Sequence, residues 1–153
     1  MNIGIIIPTL EPTQLAFEVI DTINQEILNN SKHNYRIFFE EVSTQVVAPM
    51  CAVMNIAEIW HYQGLLISTT LDNTLFSLKV ASNLIRAFYL WDLEWLRSNK
   101  DYLANIAILR HPELLLIARN EECAFELNRY CNRQPNFIMP QLRFADLADA
   151  INQ

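Results

Sequence analysis

The sequence predicts one α/β domain whose mostly parallel sheet is sandwiched between two layers of helices. Three observations predict it. Short apolar, β-branched runs such as Asn2 to Pro8 (NIGIIIP) and Leu114 to Ala118 lack the in–out alternation of half-exposed strands, as strands buried on both faces do. Between such runs lie segments with apolar residues three and four apart, the period of an amphipathic helix. The two kinds of segment alternate along the chain, and that alternation specifies a parallel sheet with crossover helices.

The elements follow in order. After the first strand, Pro12 and Thr13 sit where a helix begins, and Phe17, Ile20, Ile23, Ile27 and Leu28 predict its apolar face. Asn29, Asn30 and Ser31 end it by offering the backbone other hydrogen bonds. Tyr35 to Val42 is the second strand, trailed by Val46 and Val47. Beyond Pro49, Met50, Val53, Met54, Ala57 and Trp60 predict a helix that stops at Gly64, with the methionines filling core. Leu65 to Ser68 is a strand. Leu71 to Val80 is a short helix with Leu71, Leu75, Leu78 and Ala81 inward, and Leu84 to Leu90 is a strand. Trp91 to Asn99 is a loop or helical turn, and Tyr102 to Leu109 is helical. The strand Leu114 to Ala118 leads into a helix over Glu121 to Tyr130. A last strand, Phe137 to Met139, precedes a helix carrying Phe144, Leu147, Ala148 and Ile151. Six βα units in one series make a Rossmann-like three-layer sandwich.

Composition bounds the function. At 153 residues, with no Gly- or Ser-rich linker, the chain is one domain that needs no metal or disulfide staple. Hydrophobic residues at 52% against 18% charged exclude disorder and point to a covered face. The net charge of −6 excludes the footprint of general nucleic-acid binding, so no direct contact with nucleic acid is expected. Cys51, Cys123 and Cys131 form no CxxC pair and fit reduced thiols in the cytoplasm. No membrane span or signal peptide is expected, because no run approaches ~20 apolar residues and Met1 to Pro8 has no basic region.

Ligands of open α/β sheets bind beyond the carboxyl ends of the strands. Thr9, Ser43 with Thr44, Ser68 to Asp72, Trp91 to Glu94, Arg119 with Asn120, and Gln141 stand there. In Ser68-Thr69-Thr70-Leu71-Asp72-Asn73, hydroxyls and a carboxylate meet a helix start. They hold an anion or a sugar hydroxyl, or Thr70 or Asp72 merely caps the helix. Asp92 and Glu94, two residues apart between Trp91 and Trp95, are not spaced as an acid/base pair. The tryptophans plug the core or offer a stacking or docking surface. His33 (in a polar loop), His61 and His111 have no metal-ligand spacing. No GxGxxG, GxxxxGKS/T or GxSxG occurs, and Pro8-Thr9-Leu10-Glu11 has no glycine for a pyrophosphate to approach. No cofactor is therefore expected.

Three stretches resemble the N-terminal, acceptor-side domain of GT-B type glycosyltransferases. They are GLLISTTLDNTLFSLKV at 64–80, AFYLWDLEWL at 87–96 (with Trp91 where that family has Gln) and LLLIARNEECAFELNRYCNRQPNFIMPQ at 114–141. In that family a second, C-terminal domain holds the nucleotide-sugar, and this sequence reaches Gln153 where such a domain would begin. Phage-encoded sugar transferases are one setting for small divergent versions. The resemblance implies half of an enzyme, working as a homo-oligomer or with a second glycosyltransferase domain or subunit. Its site would have Asp92 and Asp72 as catalytic carboxylates, with Ser68, Thr69, Glu94 and Arg119 around the acceptor. The alternatives are a noncatalytic binding or regulatory module on the same fold, and a stand-alone enzyme using Asp72 or Asp92 as base.

Overall fold

The fold is that of a computed structural model which describes residues 1–41, 44–45, 47–80, 83–97 and 101–153. In chain order the strands are β1 (Asn2–Thr9), β2 (Asn34–Glu41), β3 (Ala52–Asn55), β4 (Gly64–Ser68), β5 (Leu84–Leu90), β6 (Leu114–Ala118) and β7 (Phe137–Ile138). The helices are α1 (Gln14–Leu28), α2 (Leu71–Lys79), α3 (Tyr102–Leu109), α4 (Glu121–Cys131) and α5 (Phe144–Ile151), with 3₁₀ turns at Ile56–His61 and Glu94–Leu96. All seven strands pair parallel in the order β3-β2-β1-β4-β5-β6-β7. The chain starts at the sheet centre, winds out to β3, returns to β4 and winds the other way. This is the doubly wound, Rossmann-like sandwich that the alternation predicts, with its direction switch between β1 and β4.

Burial on both faces explains the continuous apolar strands. Ile3, Ile5 and Ile7 of β1 face α1 and α5, while Ile6 joins Phe38 and Leu66 on the other face, and all four isoleucines are fully buried. α1 begins because the Thr13 side chain accepts from Ala16 N at 3.1 Å. It buries Leu15, Ala16, Val19, Ile20 and Ile23 against the sheet beside Phe144, Leu147 and Ala148 of α5. α2, α3, α4 and the first 3₁₀ turn cover the opposite face.

Several expectations need correction. The segment 50–60 is not a helix. Val53 and Met54 lie in register with Ile37 and Phe38 and form the edge strand β3. The Asn55 side chain then accepts from Ala57 N at 2.9 Å and starts a 3₁₀ turn. The apolar spacing fits a helix and a strand-plus-turn equally, and the open edge of β2 decides between them. Gly64 does not stop a helix. It opens β4 at φ 127°, where a Cβ would collide with the Asn2 carbonyl oxygen. Met50 is exposed, not core filling. Phe17 and Leu28 are also exposed, since the stripe from Leu15 to Ile23 already fills the ground under α1. Leu75 is at the surface, and α2 buries Asn73, Thr74 and Ser77 in its place. His33 is buried, its ring 3.4 Å from the Met1 amino group and 3.2 Å from Asp149. The expected strand end Val42, the post-strand Ser43, Val46, the helix-face Ala81 and the loop end Asn99 lie outside the described residues.

Candidate functional site

The direction switch puts the exits of β1 and β4 side by side. At the β1 exit, Thr9 Oγ1 accepts from Glu11 N at 3.1 Å and Glu11 O accepts from Thr13 N at 2.6 Å. This tight turn brings the Glu11 carboxylate, not glycine backbone, to the start of α1. At the β4 exit, Thr69 Oγ1 donates to Ile6 O at 2.9 Å and clasps β4 to β1. Ser68 Oγ lies 2.6 Å from Thr74 Oγ1 and 3.2 Å from Ala87 O. Both hydroxyls are buried and hold the strand ends together. Thr70 caps α2, accepting from Asn73 N at 3.2 Å, which is the capping role rather than the ligand one.

The carboxylates form a row along the same edge. Asp72, exposed in the first turn of α2, stands between Glu40 of β2 and Glu94. Partial burial, then repulsion from Asp72 and Glu41, raises the Glu40 carboxyl above its ordinary range. Glu94 reaches back from the turn after β5, its two oxygens 3.0 and 3.3 Å from Leu71 N. It thereby fills the anion-attracting start of α2 with the chain's own carboxylate. Burial pushes it up to about 7. The Leu71 N–H opposes that shift, and repulsion from Asp72 and Asp92 adds to it. Asp92 is paired with Arg97. Of Asp72 and Asp92, Asp72 is the one that faces water with no paired cation among the described residues.

Arg119 stands at the β6 exit, one strand along from the β5 exit that carries Asp92 and Glu94. Its guanidinium sits over the Trp91 ring, 4.5 Å from the centroid. A cleft of about 400 Å³ opens beside it, lined by Phe17, Glu18 and Asp21 of α1 and by Arg119, Pro140 and Gln141. Phe17 also lines a second cleft of about 270 Å³ at the start of α1, with Leu10, Glu11, Pro12, Ile20 and Val47. Phe17, Glu18 and Asp21 are absent from the site residues that the sequence predicts, and Phe17 is assigned there to the buried face of α1. The signal was available: Leu15, Ala16, Val19, Ile20 and Ile23 complete an apolar stripe without Phe17, which shares a helix side with Asp21.

Three other arginines are committed to backbone carbonyls. Arg86 donates to Ser77 O, Val80 O and Leu84 O. Arg133 donates to Leu109 O, His111 O and Leu114 O, and Arg110 to Cys131 O. Among the described residues no group of His, Cys, Asp and Glu is placed to hold a metal, and no helix is long and apolar enough to cross a membrane.

Fold and edge define a class: a doubly wound Rossmann-like domain whose strand ends carry an acidic row and an arginine–tryptophan stack, not a phosphate loop. Compared with family models, curated proteins and solved structures, the chain matches none.

Proposed function

We propose that this chain is the acceptor-side domain of a GT-B-like glycosyltransferase, taking its nucleotide-sugar from another domain or chain. One observation carries the reading. The β1 and β4 exits, where a Rossmann-like domain would cradle a diphosphate, present Glu11, Glu40, Asp72 and the Glu94-filled start of α2. A diphosphate there would face like charge without glycine backbone or a lysine to offset it. A neutral acceptor meets no such penalty. Asp72 and Asp92 are the carboxylates on this reading, with Arg119, on the Trp91 ring, and Gln141 at the open cleft. The resemblance of 64–80, 87–96 and 114–141 to that family supports the same reading.

Amide chemical-shift mapping tests it. Titration with a panel of neutral saccharides is expected to move the amides around Trp91, Arg119 and Gln141, and titration with uridine, guanosine or adenosine diphosphate is expected to move none. Saturable shifts at Thr9 to Thr13 with a nucleoside diphosphate would contradict the reading. A noncatalytic module on the same fold is separated by turnover: it stays inactive with nucleotide-sugars even when a candidate donor-binding subunit is added.

A further inference from the structure

The helix α3 reads YLANIAIL and carries no charged residue. Ile108 and Leu109 turn inward, packing with Phe88, Leu116 and Leu127. The outer side is Tyr102, Leu103, Ala104 and Ala107, all exposed, with Leu103 at 80%. Leu96, 67% exposed, precedes it in the 3₁₀ turn. This surface is braced from below. Trp95 stacks on Tyr130 at 4.5 Å and 10°, and Tyr102 meets the same ring edge-on at 5.4 Å. A surface helix without one charge is a cost in water unless something covers it.

We propose that the α3 surface is a homodimer interface, in which two antiparallel α3 helices pack about a two-fold axis. Three features select a second copy as the occupant. Between the flanking Asp101 and Arg110, α3 has no charge with which to choose a charged partner, and between two acidic chains an uncharged patch is where repulsion is least. Its exposed apolar area is on the order of 500 Å² per copy, so a pair buries roughly 1,000 Å², the size at which a specific interface begins. The spacing permits self-pairing: Leu103 and Ala107 lie one helical turn apart on the exposed side, and a two-fold axis between antiparallel helices sets Leu103 of each copy onto Ala107 of the other. The chain's charge of −6 works against an anionic lipid surface as the alternative. This inference goes beyond the acceptor-side reading, which uses the strand ends; dimer formation and saccharide binding are read separately.

Sedimentation velocity up to about 100 μM tests it, a range that reveals any dimer with a Kd in the micromolar range or tighter. The natural chain is expected to sediment as a dimer. Leu103→Asp and, independently, Ala107→Arg are expected to weaken it at least ~100-fold, to monomer, because each buries an uncompensated charge at the centre of the contact. Both positions are exposed, so far-UV circular dichroism and the melting temperature of the variants, taken at a concentration where the natural chain is monomeric, should match the natural chain. A natural chain that is monomeric at about 100 μM overturns the proposal, as does a dimer that survives both substitutions. A monomer that floats with phosphatidylcholine vesicles also overturns it, in favour of a lipid surface.

Discussion

α1 and α2 both start at the carboxyl edge, each beside one of the two central strands, yet different chemistry holds them down. α1 is capped by Thr13 and lies on a wholly apolar stripe, Leu15, Ala16, Val19, Ile20 and Ile23. α2 is capped twice, by Thr70 and by Glu94, and buries Asn73, Thr74 and Ser77 beside Leu71. Its last carbonyls are gripped by Arg86, whose distances to Ser77 O and Val80 O are 3.1 and 2.6 Å. Apolar contact is non-directional and tolerates small slips, whereas hydrogen bonds fix one register. The contrast teaches where the fold spends directional bonding. The helix that bears Asp72 is pinned at both ends, whereas the helix beside the open clefts rests on packing along its stripe, with tertiary hydrogen bonds through Asn24 and Glu26 in its last turns.

The largest expected effect breaks the pinned side. Arg86→Ala removes the side-chain donor from the Val80 and Leu84 carbonyls and leaves Ser77 O only the Val80 N–H at 3.3 Å, and should cost about 3–5 kcal/mol in denaturant unfolding. Next comes the packed side, where Ile23→Ala should cost about 3 kcal/mol but Ile23→Val only about 1, the graded response of a cavity. If Ile23→Val costs as much as Ile23→Ala, the packed side is as exacting as the pinned one and the contrast fails.

Asn73 reverses the sign. Its side chain is fully buried, and among the described residues neither its amide nitrogen nor its oxygen has a hydrogen-bond partner. Asn73→Leu should therefore raise stability by about 1–2 kcal/mol, read as a higher melting temperature. A loss of that size would mean that polar contact at this position holds α2 in place.

The smallest effect is pH-dependent. Glu94 is held near 7 in the folded chain against an ordinary 4.5, so between those values the folded chain carries the extra proton. Stability contributed by that proton is present below pH 4.5 and is lost as pH rises through about 7. Glu94→Gln keeps an acceptor for Leu71 N and removes the charge. It should gain on the order of 1 kcal/mol at pH 8, discounted for solvent screening, and nothing at pH 4. A gain equal at both pH values would assign the effect to packing and not to charge.

What the sequence made legible follows from the same contrast. Strands buried on both faces and the α1 stripe are apolar at fixed periods, so β1, β4, β5, β6 and the extent of α1 were readable. β3 was not, because four residues on a sheet edge take their identity from Ile37 and Phe38 across the gap. The buried side of α2 was not either, since Asn73, Thr74 and Ser77 read as surface residues until Ser68 is brought to Thr74 and Arg86 to the Ser77 carbonyl. At the edge, position was legible and partnership was not. Ser68, Thr69, Asp72, Asp92 and Glu94 do gather there, but nothing in Glu94 forecasts that it would occupy the Leu71 N–H, 23 residues back in the chain. Phe17 was misread as part of the buried face, because a helix can expose one aromatic residue when its stripe is already complete.

The most direct test of the acceptor-side reading is turnover of radiolabelled nucleotide-sugars by the chain alone. With UDP-, GDP- and ADP-linked sugars, and water or a saccharide as acceptor, release of labelled sugar is expected to stay at the level of buffer. Release above buffer that Asp72→Asn or Asp92→Asn abolishes would contradict the account, because the chain would then bind its donor and do its chemistry unaided.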